Sequence, residues 1–280
     1  MSDNLVLIFG SLEHSRKEIK SLFRFPADRT PVAFILALSC LDFLLYFLVH
    51  STIFLFCYWL IMAFPKMLIC AWSHHHQHTG TFRNKSLDRI LEFFYALHTG
   101  VTTHLWRLHH VLGHHLNYLD QNKDESRWKR DSGESMGEVE YSFIVALTAY
   151  YRGYKVGGRY QKVRRVFIKY TLITFSILFL LTWFNPVGAL FLFILPMLTS
   201  LLLTAWTTYD HHSELDTDDV FSASRNNVGK IYNLLTGNLG LHTAHHYKQG
   251  VHWSKLPELH EKIKSKIPPE LISGTEPESA

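Results

Sequence analysis

Four long apolar segments constrain the fold of this chain more than any other feature of its sequence. Each has about the ~20 residues that a helix needs to cross roughly 30 Å of hydrocarbon. A large soluble helical core is the alternative, but helices in soluble proteins rarely stay apolar on every face over such a length. We therefore predict four membrane-spanning helices, at residues 31–49, 53–72, 167–184 and 187–209.

Lysine and arginine are distributed unevenly around these segments. Residues 152–170 contain seven Lys or Arg residues and no acidic residue, and the segment before the first span is also basic. The short connections within the two helix pairs, at 50–52 and 185–187, contain no Lys or Arg. Because basic loops tend to stay in the cytoplasm, we predict that both termini and the long middle segment are cytoplasmic.

The chain has 280 residues and no internal repeat, so we interpret residues 1–280 as a single domain. Residues 73–166 and 210–267 are predicted to form a helical cap on the spanning helices. Within the cap, the acidic and glycine-containing stretch 120–138 predicts an exposed loop. The polar tail 268–280 is predicted to be disordered.

Two ionisable residues, Asp42 and Lys66, lie inside the first two predicted spans. Charges are costly in hydrocarbon and usually face the interior of a helix bundle. Antiparallel helices could bring the two side chains together as an ion pair. Alternatively, the long side chain of Lys66 could extend to the membrane surface.

Histidines are concentrated in four short motifs that all follow predicted spans. The motifs are "HHHQH" at 74–78, "HVLGHH" at 110–115, "YDHHSE" at 209–214 and "HTAHH" at 242–246. An even number of crossings separates them, so all four motifs are expected on the same membrane face. Histidines four apart share one face of an α-helix, and this spacing recurs in the first, second and fourth motifs.

These spacings predict a metal site, because neutral imidazole binds Fe, Zn, Cu and Ni well. The number of histidines exceeds what one ion can bind and predicts two metals. The three cysteines lie in the first two spans without metal-site spacing, and the chain has no Glu-x-x-His motif of the soluble di-iron bundles. The candidate ligands are His74, His78, His110, His114, His115, His212, His242, His245 and His246. Five further histidines could either orient these ligands or be ordinary interfacial residues, namely His75, His76, His98, His104 and His109.

The motifs resemble the histidine boxes of the membrane fatty acid desaturase superfamily. The matching stretches are "HHHQH", "HVLGHH" and "HTAHH", and the resemblance covers roughly residues 31–267. Members of this superfamily also carry a lone ligand after the fourth helix, often in a Tyr-x-x-His setting. Tyr209 and His212 match that setting, so the resemblance favours His212 over His211 as a ligand.

The resemblance implies an all-α integral membrane fold, with four transmembrane helices and a cytoplasmic helical cap that holds a di-metal site. It implies two iron ions, O2 as co-substrate and oxidation of a fatty acyl or other long apolar chain, with desaturation as the first expectation. The three-residue gap in "HVLGHH" is similar to that of hydroxylases, and "GVHWSKLPELH" at 250–260 is similar to alkene-forming members. Hydroxylation of a fatty acid or alkane and decarboxylation to a terminal alkene are therefore alternatives.

The partners that the resemblance implies are membrane lipids and a separate ferredoxin-, rubredoxin- or cytochrome-like electron donor with its reductase. We expect no nucleic-acid partner. The basic stretch 152–170 could attract an acidic donor or contact anionic headgroups. Candidate cavity residues are Trp59, Phe64, Trp106 and Trp206.

Two other classes of protein compete with the enzyme. A metal transporter or sensor would use the histidines for transit, but transporter sites lie near the bilayer midplane, whereas these histidines follow the spans. A structural membrane protein with incidental histidines is the remaining alternative.

Overall fold

A computed structural model describes residues 21–274, and this part of the chain is almost entirely helical. The α-helices are α1 (Arg29–Leu48), α2 (Thr52–Thr79), α3 (Lys85–Thr99), α4 (Glu138–Val156), α5 (Gln161–Phe184), α6 (Leu195–His212), α7 (Lys230–Thr236), α8 (His242–Tyr247) and α9 (Leu256–Ile263). A π-helix, Arg107–His114, lies between α3 and α4. A short helical turn at Pro186–Ala189 and a π-helical segment at Leu190–Ile194 precede α6.

Within residues 21–274, four helical segments are long and apolar enough to cross a membrane, which confirms the predicted all-α membrane class. They are Pro26–Leu48, Thr52–Thr79, Gln161–Phe184 and Pro186–His212. Each contains most of a predicted span but extends further. The second continues from residue 72 to Thr79 and stops at Gly80, whose φ of 66° does not continue a right-handed helix. Its last two turns therefore carry His74 and His78 on a continuous helix.

Asp42 and Lys66 form an ion pair inside the bundle. Lys66 Nζ lies 2.7 Å from Asp42 Oδ2 and donates a second hydrogen bond to the backbone oxygen of Leu192 at 3.0 Å. The Tyr58 hydroxyl donates to Asp42 Oδ1 at 2.7 Å. Both charged side chains are only 1% exposed, so Lys66 does not reach the membrane surface. The network joins α1, α2 and the π-helical segment of the fourth span.

The segments that follow α2 and α6 meet near the end of the bundle where these two helices finish. Helix α3 is amphipathic and lies beside α1, where Leu91 and Tyr95 pack against Val32, Ile35 and Leu38. Further along the chain, α8 and α9 share a small apolar core that includes Ala244, Leu256 and Ile263. The histidine motifs, which are far apart in sequence, therefore meet at one end of the bundle.

The structure differs from the prediction that the tail is disordered from residue 268. Ile272–Ser273 pairs in parallel with Asn226–Asn227 as a two-stranded sheet, and the Val228 amide donates to the Ser273 carbonyl at 2.8 Å. Leu271 and Ile272 also pack on the apolar core of α8 and α9. These contacts offset the ordering cost that the polar composition implied. Residues 275–280 of the predicted tail lie outside the described residues.

The stretch 120–138 is also more ordered than an exposed loop. Asp124, Ser126, Trp128 and Met136 are buried, and Trp128 and Met136 join an apolar cluster with Tyr141 of α4. The acidic and glycine residues around them led to the prediction that the whole stretch is exposed. Only the residues that contact α4 or the histidines of the π-helix are buried, and the others are partly or fully exposed.

Candidate metal centre

Five histidines from three motifs meet in a first cluster. Each offers one ring nitrogen, and these nitrogens all lie within 4.8 Å of one another. The Nε2 atoms of His74 and His78 are 3.0 Å apart, and those of His110 and His115 are 2.9 Å apart. The fifth member, His245 on α8, has a buried Nε2 with no hydrogen-bond partner among the described residues.

A second cluster lies beside the first and contains three further candidate ligands. Ring nitrogens of His114, His212 and His246 all lie within 4.8 Å of one another. The Nε2 of His212 is central: it is 3.2 Å from that of His114, 3.1 Å from that of His246 and 3.0 Å from that of His242. Eight of the nine predicted ligands therefore fall in one of two adjacent groups, and the ninth, His242, lies beside the second group next to His212.

The geometry fits bound metal ions better than hydrogen bonds. A neutral imidazole has one N–H, so the Nε2 of His212 cannot satisfy three neighbouring nitrogens at once. Two nitrogens bound to one ion at about 2.1 Å are separated by roughly 3.0–3.4 Å, which is the range seen around His212. Cysteine sulfur does not contribute, because Cys70, the buried cysteine, contacts the backbone of Ser200 instead.

Burial lowers the pKa of five of these histidines, which favours the neutral ring that can bind a cation. It is the largest cause that lowers the pKa of the cap histidines, and the proximity of other imidazoles lowers it further. The cap histidines affected in this way are His110, His115, His242, His245 and His246. A neutral ring offers a lone pair, whereas a protonated ring would repel the metal.

The π-helix determines which histidines of the second motif belong to which cluster. The sequence analysis predicted an α-helix, which would have placed His110 and His114 on one face, and this prediction was wrong. In the π-helix the His115 amide donates to the His110 carbonyl at 2.9 Å, so the residue five positions on returns to the same face. His110 and His115 therefore belong to the first cluster, whereas His114 belongs to the second. In the fourth motif, His246 belongs to the second cluster and His242 lies beside it, with its Nε2 3.0 Å from that of His212.

Asp124 orients His114 and was not singled out from the sequence. Its Oδ1 lies 2.8 Å from His114 Nδ1 and also accepts the Ser126 amide at 2.7 Å. A carboxylate on Nδ1 fixes the ring orientation and leaves Nε2 for a metal. In the same cluster, the Nδ1 of His212 lies 2.8 Å from the backbone oxygen of Ala223.

Gly113 lets this carboxylate reach the π-helix. A Cβ at this position would lie 2.7 Å from Cγ of Glu125 and 3.1 Å from the Leu108 carbonyl oxygen. A larger residue would therefore push the stretch 120–138, with Asp124, away from His114. The glycine in "HVLGHH" is the sequence signal that could have indicated a close neighbour.

Replacing Asp124 with asparagine should weaken metal binding at the second cluster. The amide keeps the shape but removes the negative charge beside His114 Nδ1, so we expect roughly 10- to 100-fold weaker metal binding there. The matched control is Asp131→Asn, which changes a carboxylate that is 87% exposed in the same stretch. Competition with a metal chelator measures the affinity, and equal affinities in the two variants would contradict the role of Asp124.

Tyr118 covers the second cluster. Its ring centroid lies 4.4 Å from that of His246 and 6.0 Å from that of His212. Burial raises the pKa of Tyr118 to about 12, so the phenol stays neutral and competes little for a cation. Tyr118 could not be singled out from the sequence, because a lone Tyr in a polar stretch is common.

The structure brings none of the less certain histidines into either cluster. His75 Nε2 lies 3.1 Å from the Thr236 carbonyl oxygen, and His104 Nε2 lies 3.0 Å from Arg89. His76 Nε2 lies 3.3 Å from Glu92, a buried carboxylate that sequence reasoning did not single out. Burial alone would raise the pKa of Glu92, but the hydrogen bond and charge of His76, together with Arg89, lower it to about 2.

The remaining three histidines occupy other positions. His98 Nε2 lies 2.9 Å from the Ser39 hydroxyl, and its Nδ1 lies 3.4 Å from Asp42. His109 is buried beside the metal-facing histidines of the π-helix without joining them. His211 stacks on His242 with ring centroids 4.0 Å apart, so it supports a candidate ligand from outside.

An apolar cavity of about 230 Å³ reaches the first cluster. His74 and His110 of that cluster line its inner end together with His242, which lies beside the second cluster. Of the aromatic residues considered from the sequence, Phe64, Trp106 and Trp206 line it. Trp59 does not: its ring packs near Phe56 and Phe191.

Fold and site together define a class: a helical membrane protein in which the first of two adjacent all-histidine clusters meets an apolar cavity. The family model described as fatty acid desaturase matches residues 20–273, and the chain belongs to that family. No curated protein and no solved structure matches the chain significantly. Membership confirms the predicted superfamily and supports an oxidoreductase that acts on fatty acyl chains in a membrane.

Proposed function

We propose that this protein is an O2-dependent fatty acid desaturase that uses two iron ions. The observation that carries the proposal is the pair of adjacent histidine clusters, the first of which lies at the inner end of an apolar cavity. A metal transporter or sensor fits less well, because transporter sites lie near the bilayer midplane, whereas these clusters lie where α2 and α6 leave the bundle.

The two clusters would each hold one iron. His74, His78, His110, His115 and His245 would hold the first. The ligands of the second would be His114, His212, His242 and His246, with Asp124 fixing the orientation of His114. A pair of irons bound in this way supplies the oxidation of an unactivated C–H bond by O2.

The cavity supplies binding and position. Phe64, Met67 and Leu68 of α2 line one side, so burial of the alkyl chain against them stabilises the complex. His74 and His110 end the cavity, which holds one part of the chain beside the first cluster and excludes water from it. The protein thereby selects the carbon that reacts, while the metals supply the reactivity.

Desaturation also requires an electron donor. Removal of two hydrogen atoms from adjacent carbons forms the double bond, and O2 accepts them together with two further electrons and two protons, giving two water molecules. We assign the electrons to a separate acidic carrier. Exposed basic residues at the end of α4 and the start of α5 would attract it, namely Lys155, Arg159, Lys162, Arg165 and Lys169.

The cap is proposed to face the cytoplasm. It is continuous with the basic stretch 152–170, whereas the connections at the other end of the bundle, 49–51 and Asn185, contain no Lys or Arg. The bias of Lys and Arg toward one end supports this orientation.

Product analysis under ¹⁸O2 tests the reaction. Iron-loaded protein in lipid nanodiscs, supplied with reduced ferredoxin, should yield lipid chains with one new double bond and no ¹⁸O. Incorporation of one ¹⁸O into the chain would show hydroxylation instead of desaturation. A chain one carbon shorter, with release of CO2, would show decarboxylation. No O2-dependent change in any lipid, with iron present and protein folded, would contradict the oxidoreductase proposal. The iron-free protein is the control.

A further inference from the structure

The outer end of the cavity is open where two spanning helices face lipid. Phe64 of α2 and Trp206 of α6 line the cavity and are 58% and 47% exposed. Phe64 lies ten residues before His74 on α2, which at 1.5 Å per residue places the opening about 15 Å further along the helix, toward the bilayer. Access to the cavity therefore runs between spanning helices.

Helix α7 extends the same apolar surface. Leu235 and Thr236 line the cavity from one side of the helix, and Leu235 is 40% exposed. On the outer side Ile231 and Leu234 are 75% and 77% exposed. Large aliphatic side chains with this exposure, next to the lipid-facing residues of α2 and α6, are typical of a helix that lies in the membrane interface.

Among the residues that the structure describes, the cavity lining offers no positive charge for an anionic head group. Neither Lys nor Arg is among its lining residues, whose polar members are threonines, histidines and Tyr232. Asp210 lies near Tyr232: burial raises the pKa of Tyr232, and the negative charge of Asp210 raises it further. The basic residues of 152–170 are on α4 and α5, and neither helix contributes to the lining. A carboxylate or phosphate inside the cavity would therefore be desolvated without a cationic partner among these lining residues.

We propose that the substrate is an uncharged long-chain lipid dissolved in the bilayer, which enters the cavity sideways between α2 and α6, beneath α7. This inference rests on the proposed oxidation of an acyl chain and adds the head-group class and the route. It excludes chains carried on an anionic, water-soluble thioester carrier as the preferred substrate. The threonines and Tyr232 are the groups that would hydrogen-bond an ester or hydroxyl oxygen.

One chain presented in three forms tests this inference. Iron-loaded protein in nanodiscs is given the stearoyl chain as a monoacylglycerol, as the free fatty acid and as the coenzyme A thioester. We expect kcat/KM to be at least tenfold higher for the monoacylglycerol. Equal or higher values for either anionic form would overturn the inference and leave the proposed function intact. No oxidation of any of the three would contradict the proposed function itself.

A charge placed at the opening gives a second readout with a matched control. Leu235→Lys puts a cation at the cavity, so the kcat/KM ratio of free fatty acid to monoacylglycerol should rise about five- to tenfold. Leu234→Lys adds the same charge to the same helix but outside the cavity lining, and its ratio should stay at the wild-type value. Equal ratios in the two variants would contradict the assignment of this opening.

Discussion

Alanine at His245 and alanine at His246 should each reduce turnover at least about 100-fold, although the two residues belong to different clusters. His245 contributes a ring nitrogen to the first cluster, and His246 contributes one to the second. Removing a ligand should reduce activity more than removing a group that orients a ligand, for which 10- to 100-fold reductions are typical. Turnover is measured as O2-dependent lipid oxidation by iron-loaded protein.

Bound iron should distinguish the two variants. Each should bind less iron than the wild-type protein, and Mössbauer spectra should show loss of a different iron site in each case. The control is His50→Ala, because His50 is exposed in the connection between α1 and α2, away from the cap. Size-exclusion profiles that match the wild type show that the variants fold. Full turnover in either variant would leave the histidines without a catalytic role.

Lys66→Met should destabilise the protein by about 3–5 kcal/mol. The substitution leaves the Asp42 carboxylate buried without its cation, and a charge in that state is far costlier than an intact pair is favourable. The same loss is expected for Asp42→Leu, which leaves Lys66 without its anion. The free energy of unfolding in mixed micelles, followed by helical circular dichroism, measures both effects.

The double variant Asp42→Leu with Lys66→Met tests whether the single variants are unstable because each leaves one unpaired charge buried. With both charges removed, most of the lost stability should return, because no unpaired charge remains. Lys162→Met, at an exposed position near the start of α5, is the control for loss of a lysine and should change the free energy of unfolding by less than about 0.5 kcal/mol. Additive losses in the double variant would show that the pair does not act as a unit.

The spanning helices and the meeting of the histidines could be predicted because both depend on properties that are read directly from the sequence. Length and hydropathy are enough to locate a span, and an even number of crossings is enough to bring His74, His212 and His246 to one end. The ends of the helices were less predictable. Helix α2 continues to Thr79 because residues 73–79 contain no Gly or Pro, whereas hydropathy falls earlier, near residue 72.

The division into clusters could not be predicted from spacing. It depends on a π-helix at Arg107–His114, in which five residues, instead of four, separate neighbours on one face. The contribution of Asp124 was hidden for a related reason. Its burial requires the close contact between Gly113 and Glu125, which is a tertiary contact with no periodic signal in the sequence.

The cavity depended on tertiary packing in the same way. Phe64 and Trp206 come together only because α2 and α6 are neighbours, and α7 then covers them with Leu235. Trp59 has similar chemistry and lies on the same helix as Phe64, but it packs near Phe191. The sequence therefore predicts that aromatic residues line the cavity, but which of them do so depends on how the helices pack.

The most direct test of a paired iron site is the metal content of the purified protein, combined with X-ray absorption at the iron edge. After anaerobic loading with ferrous iron and removal of the excess, we expect two iron ions per chain. The atoms bound to iron should be nitrogen or oxygen alone, since the clusters consist of imidazoles. One metal ion or none per chain, or sulfur bound to the iron, would contradict the claim that two histidine clusters form a paired iron site.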